Sequence, residues 1–341
     1  MNSWRWILSP FGLLYWLITS TRNVLFDAGI LKRHVIEGPS ICIGNLNVGG
    51  SGKSPLTLYL MKAFQATHHI QVVSRGYGRT SRGHIQLTSE HEAREVGDEP
   101  LMYFKHKNPS DEIHVSESRI AAIQKLNRDS KHLLLLDDAF QHRYVQAGMN
   151  ILVSDFNLPF FKDYILPIGT LREPRIGAKR ANLVVFTKCP LDLSQYDKQI
   201  YEAEATRLGI RAFFSRIQYA PLQSIQGNLN TDASHVLLVT GIANPIPLEE
   251  HLEKTYTVHP IRFSDHHEFT QEEIKQIHKK FDTFEATKTI IVTTEKDFMR
   301  LNSKELFIEL SAYPWFIQPI ALSIENEPEF LTLIRTYVST N

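Results

Sequence analysis

From Ser40 onward the chain alternates short, continuous apolar runs with stretches whose apolar positions return every three or four residues. The runs are SICIG (40–44), IQVVS (70–74), EIHVS (112–116), HLLLLDD (132–138), NILVSD (150–155) and NLVVFTK (182–188). Between some of them lie helical patterns. One follows Lys53 and sets Leu56, Leu60 and Phe64 on one face; another covers 117–128. Strands apolar on both faces, with helices between them, predict a mostly parallel sheet covered on both sides. The segment RAFFSRIQY (211–219) reads as extended and leads into the polar stretch SIQGNLNTDASH. A second set follows: VLLVTGI (236–242), YTVHPIRF (256–263), KTIIVTT (288–294) and WFIQPIALSI (315–324). The expected organisation is an N-terminal region (1–36), a large α/β domain (37–219) and a smaller α/β domain (220–341) that closes a cleft.

Residues 1–36 carry a different pattern. An apolar run from Ile7 to Ile18 is broken only by Ser9, Pro10 and Gly12, shorter than the roughly 20 residues that span a bilayer. No small-residue cleavage site follows it, as a signal peptide would require. Trp4, Ile7, Leu8, Phe11, Tyr15 and Ile18 fall on one helical face, and Arg5, Arg22, Lys32 and Arg33 stand against Asp27 alone. A tryptophan-rich amphipathic helix with basic flanks suits an anionic membrane surface. The same helix could instead pack on the protein's own core. Both readings stand at this point.

Composition narrows the field. The 341 residues are 43% hydrophobic and 22% charged, ordinary for a globular chain. Lys plus Arg balances Asp plus Glu at 37 each, so no overall charge draws the chain to nucleic acid. Two cysteines, Cys42 and Cys189, exclude a disulfide framework.

The chemistry concentrates after the first strand, in GNLNVGGSGKSP (44–55). In a phosphate cradle, glycines let consecutive N–H groups point at oxyanions, and the following helix adds its dipole. Asn47, Val48, Gly49, Gly50, Ser51 and Gly52 form the loop, Lys53 brings the charge, and Ser54 offers a hydroxyl for Mg²⁺. Asn47 stands where the usual pattern has its first glycine, and asparagine tolerates left-handed backbone. The partner such a loop needs is a carboxylate at a neighbouring strand's end. LLLLDDAFQHR (133–143) supplies Asp137 and Asp138 as metal-holding residues.

Further clusters follow strand ends: SRGYGR (74–79), GDEP (97–100), TLREPR (170–175) and FSDHHEF (263–269). Each alone reads as a solvated loop. Together they surround the edge where open α/β sheets bind ligands.

These motifs, with TTEKD (293–297), stand in the order found in the tetraacyldisaccharide 4′-kinases, and the resemblance spans essentially the whole chain. That family's loop also lacks the first glycine. The resemblance implies a P-loop NTPase-like fold and transfer of the ATP γ-phosphate, with Mg²⁺, to the 4′-hydroxyl of a tetraacyldisaccharide 1-phosphate. It implies work at the cytoplasmic face of a bacterial inner membrane on a lipid disaccharide; the charge balance gives no reason to expect nucleic acid, and no obligate protein partner is inferred. It also implies a carboxylate–histidine pair as catalytic base, matched by Asp98 and His266; His266 is preferred to His267 because it directly follows Asp265. Arg172 would stabilise the migrating phosphoryl group, and Glu173 would reach the metal. A GTPase or metal-insertion ATPase shares the loop and the aspartates. FTKCP (186–190), however, carries Pro190 where guanine recognition needs an aspartate.

Overall fold

The structure, a computed structural model, describes residues 7–227 and 232–341. Trp4 and Arg5 of the expected N-terminal helix lie outside the described residues. So do residues 228–231 of the polar stretch. Nine strands form the large sheet in the order Ile320–Ile324, Arg211–Tyr219, Leu183–Thr187, Met149–Asp155, Ser40–Gly44, His132–Asp137, His69–Ser74, Glu112–Val115 and Ile85–Gln86. The inner seven are parallel. The two edge strands run antiparallel. Side chains alternate across the central strand, so both sheet faces need cover. Ile41 and Ile43 join one apolar layer with Leu56, Leu60, Phe330 and Ile334. Cys42 joins the other with Leu134, Leu136 and Tyr201.

The second sheet has five strands in the order Gln223–Ser224, Trp315–Gln318, Thr289–Thr294, His235–Thr240 and Thr257–Arg262. All pair in parallel except the first. The expected single run 315–324 is two strands in two sheets. Pro319 lacks the N–H a ladder requires, and the chain crosses there from the small sheet back to the large one. Ala220, where the chain first leaves the large sheet, donates its N–H to the Pro319 carbonyl (3.0 Å). The expected division at 219/220 therefore places residues 320–341 with the wrong sheet. Ile320–Ile324 and helix Glu327–Thr340 return to the large unit, where the Tyr337 hydroxyl donates to the Ser40 carbonyl (2.9 Å).

Helix α1 (Ser9–Asp27) lies on the large unit along one narrow stripe. A Cβ at Gly12 would come within 2.9 Å of Ile168 Cδ1. Tyr15 donates to the Arg172 carbonyl (2.9 Å) and Arg22 to the Gln141 carbonyl (2.7 Å). Phe26 is buried, with the Arg22, Arg33 and Arg143 guanidinium groups and Tyr144 around its ring. The remaining faces expose Phe11, Leu13, Leu14, Leu17 and Ile18, each more than half accessible. Of the expected apolar face, Leu8 and Tyr15 are half-buried, with Tyr15 bonded to the large unit, while Ile7, Phe11 and Ile18 are mostly exposed, so that face as a whole does not pack into the protein's own core. No helix among the described residues is long and apolar enough to cross a membrane.

Candidate active site

The strand Ser40–Gly44 ends in the middle of the large sheet and the chain turns through 45–52 into helix α2 (Lys53–Phe64). Gly52 has φ 88°, and a Cβ there would meet the Thr187 side chain at 3.2 Å, so the position needs glycine on two counts. Gly49 also has positive φ, at 111°. Asn47 does not, which corrects the expectation of a left-handed asparagine. Its side chain is buried and donates to Asp163 Oδ2 (2.8 Å) and Thr170 Oγ1 (3.2 Å), tying the loop to residues 163–170. Val48 N–H donates to the Thr170 carbonyl (2.8 Å). On the other side Thr187 Oγ1 donates to the Ser51 carbonyl (2.6 Å), and Lys188 reaches Gly50 O and Asp155.

Lys53 Nζ lies 3.5 Å from Asp138 Oδ1 and 3.3 Å from Asn45 Oδ1. Arg172 Nη1 lies 3.3 Å from both Asp138 oxygens. Burial raises the Asp138 carboxyl, but Lys53 and Arg172 outweigh it and hold the group below the usual carboxylate range. Asp137 goes the other way, pushed up to about 7 by burial and by the charges of Glu99 and Asp138. Its Oδ2 accepts from Ser74 (3.0 Å), while its Oδ1 is buried with no hydrogen-bond partner. Ser54 Oγ donates to Glu99 Oε1 (2.8 Å). Crowded carboxylates and an orphaned oxygen fit a divalent cation. Among the described residues no three His, Cys, Asp or Glu side chains converge into a metal cage. Mg²⁺ commonly takes one or two carboxylates and completes its shell with phosphate oxygens and water.

Glu173, expected to reach the metal, follows Arg172 directly and is held by other side chains. Both its oxygens are taken: Oε1 by Arg180 (2.7 Å) and Gln141 (3.1 Å), Oε2 by Asn23 of α1 (2.9 Å). Arg180 balances its charge, and the group anchors the N-terminal helix beside the loop.

The histidine side of the site comes from the second unit. His266 sits in a turn with φ 58°, its N–H bonded to the Gly241 carbonyl (3.1 Å). Its Nδ1 is 3.0 Å from Asp98 Oδ2, and its ring stands 5.2 Å from the Tyr77 ring of SRGYGR. His267 turns away to Glu273 (3.0 Å) and stacks on Phe263. Asp98 begins helix Asp98–His106 after Gly97, whose Cβ position lies 3.1 Å from Gly76 Cα, so SRGYGR and GDEP meet glycine against glycine. The Asp98 carboxyl is buried. Burial raises its pKa, but the His266 hydrogen bond and the Lys296 and Arg300 charges more than offset it, leaving a net downward shift. Lys296 Nζ is 3.4 Å from both His266 Nε2 and Glu99 Oε1. A continuous line of contacts therefore runs Ser54–Glu99–Lys296–His266–Asp98, joining the phosphate loop to the carboxylate–histidine pair.

The residues missing from the sequence-based site had weak signals. Glu99 lies inside GDEP and Gln141 inside DDAFQH, so both were legible as motif members without a role. Arg119, whose Nη2 donates to the Asp137 carbonyl (3.2 Å), is a single cation in a short helix and carries no signal.

Residues 4–339 match the family described as LpxK: tetraacyldisaccharide-1-P 4′-kinase. A Bacteroides thetaiotaomicron protein named tetraacyldisaccharide 4′-kinase is 40% identical, the alignment covering 99% of this chain and 94% of that protein. A Flavobacterium psychrophilum protein of the same name is also 40% identical, over 100% and 99%. Among solved structures, LpxK from Aquifex aeolicus in complex with ATP is similar with a TM-score of 0.74 and 26% identity, covering 98% of this chain and 99% of that one.

Proposed function

The chain belongs to the tetraacyldisaccharide 4′-kinase family, a lipid A biosynthesis kinase, and from that premise we propose which of its residues carry the transfer. The reaction moves the ATP γ-phosphate to the 4′-hydroxyl of a tetraacyldisaccharide 1-phosphate. Such transfer is mainly positioning and neutralisation of charge on the phosphoryl oxygens. Amides of residues 49–54, at the start of α2, bind the phosphates, and Lys53 supplies the cation. Ser54 and Asp138 would hold Mg²⁺, with Asp137 beside them. A metal held there would add positive charge against the phosphate oxygens. Arg172, 3.3 Å from Asp138, would neutralise charge on the migrating group.

Asp98 accepts the proton that the 4′-hydroxyl loses as its oxygen bonds to phosphorus. His266 fixes the carboxylate's orientation through the 3.0 Å contact. That contact carries the reading, because it brings together residues of the two units beside the line of contacts from the phosphate loop. The exposed apolar face of α1 rests on the inner membrane's cytoplasmic face, so that the acyl chains stay in lipid. The test is phosphorylation of a tetraacyldisaccharide 1-phosphate in mixed micelles with Mg-ATP or Mg-GTP. Product with ATP, dependent on the lipid acceptor, is expected. Nucleotide hydrolysis unaffected by the lipid would overturn the assignment.

A further inference from the structure

The motif TTEKD has no part in the transfer as described. Its helix, Glu295–Leu301, packs on helix Asp98–His106 and is capped by Thr294, whose Oγ1 accepts the Asp297 N–H (3.0 Å) and donates to Asp297 Oδ2 (2.7 Å). Asp297 is fully buried and pairs through Oδ1 with Arg300 Nη2, one turn along. The same Nη2 donates to the Gly241 carbonyl (3.0 Å), which also receives the His266 N–H. Arg300 Nη1 lies 3.1 Å from Asp98 Oδ2. This is ion-pair range without hydrogen-bond alignment, and Nη1 and Nε are buried with no hydrogen-bond partner. The guanidinium is therefore locked on one edge and aims its free edge at the carboxylate.

We propose that Arg300, held by Asp297 and the Gly241 carbonyl, is a positioning residue that aims Asp98 at the acceptor hydroxyl and keeps it ionised. This rests on the reading of Asp98 as the base. Its physical ground is the burial of that carboxylate, since a buried charge needs a fixed partner. The groups around Asp98 are His266 and Asp265 from the turn after Thr257–Arg262, and Lys296, Asp297 and Arg300 from the TTEKD helix. Glu99 stands next to it, with Asp137 beyond. Asp297 fixes one edge of Arg300 and shares its charge, while Lys296 is shared with Glu99. Arg300 thus contributes a cation to Asp98 whose position does not depend on the acceptor or the nucleotide.

Asp98 is a carboxylate held low by cations, so losing one of them raises its proton affinity. The decisive measurement is the pH profile of kcat and kcat/KM for the full-length enzyme with Mg-ATP and lipid acceptor. Arg300→Gln should move the acid limb to higher pH, leaving KM for ATP unchanged, so that its deficit deepens as pH falls. Arg300→Lys should return the limb towards its original place. Should Arg300→Gln fail to fold because Asp297 loses its partner, Asp297→Asn/Arg300→Gln leaves no lone buried charge and is compared with Asp297→Asn alone, so that only the guanidinium differs and the limb should lie higher in the double variant. A limb that stays put in a folded variant, with an equal loss at every pH, overturns the proposal. Asp98→Asn is run alongside: full activity there would remove the base reading itself, a different failure from an unmoved limb.

Discussion

At the phosphate loop, Lys53 is held by Asn45 and Asp138, and Arg172 also answers the Asp138 charge. Lys53→Ala should therefore leave thermal melting within a few degrees of the parent while lowering kcat by about a hundredfold or more, as loss of a charge aimed at the transition state does. Parent-like turnover in the folded variant would take the loop out of the mechanism. Residue identity and residue role separate here. Lys53, Ser54, Asp137 and Asp138 were legible because the phosphate loop and strand-end aspartates fix side-chain type by mechanism. Asn47 was legible as a departure from pattern, but its purpose lies in Asp163 and Thr170, more than a hundred positions away. Local backbone preference could not reveal that. Nor could it reveal that Asn23, 150 positions away, and Arg180, seven positions along, share the Glu173 oxygens.

Helix α1 presents a sharper case at the level of an element. Its apolar positions are legible, yet amphipathic pattern alone cannot say whether lipid or protein covers them. The structure answers for the protein side, since Phe11, Leu14 and Ile18 are all exposed. Replacing these three with serine should reduce binding to anionic vesicles by at least about tenfold, given some 0.8 kcal/mol for each methylene buried in lipid. KM for the lipid acceptor should rise while melting temperature stays unchanged. A marked fall in melting temperature would show that the face packs on protein. The strand 315–318 carries a different test. Trp315 Nε1 donates to His278 Nε2 (2.9 Å), and burial pushes the His278 imidazole down to about 4. The unfolded chain takes up this proton near pH 6.5 and the folded one near 4, so the stability it supports is present above 6.5 and lost as pH falls towards 4. His278→Gln keeps an acceptor for Trp315 and should flatten the fall in melting temperature between pH 6.5 and 5. An unchanged slope would assign that fall to other groups.

The strand and helix succession was readable from Ser40 to Tyr219 because buried parallel strands are continuous apolar runs. The joining of the two units was not. Pro319 within WFIQPIALSI is the local sign of a break, but only pairing shows that the two pieces enter different sheets. The units are consequently connected by two neighbouring crossings, at 220 and 319, and face each other through Asp98 and His266. These residues lie 168 positions apart and are 3.0 Å apart in space. If they act as one device, each alone does little for the attacking hydroxyl. Asp98→Ala should lower kcat by about 10²–10⁴ with little change in KM for ATP, since the base acts on the acceptor and not on nucleotide binding. His266→Ala should act in the same direction, and the double variant should be hardly slower than the more damaged single one. Independent roles would instead multiply the two losses. A double-mutant cycle on kcat, with melting curves to confirm that all four proteins are folded, separates the outcomes. Clean multiplicativity would dissolve the pair and leave the 3.0 Å contact a tether between the two units.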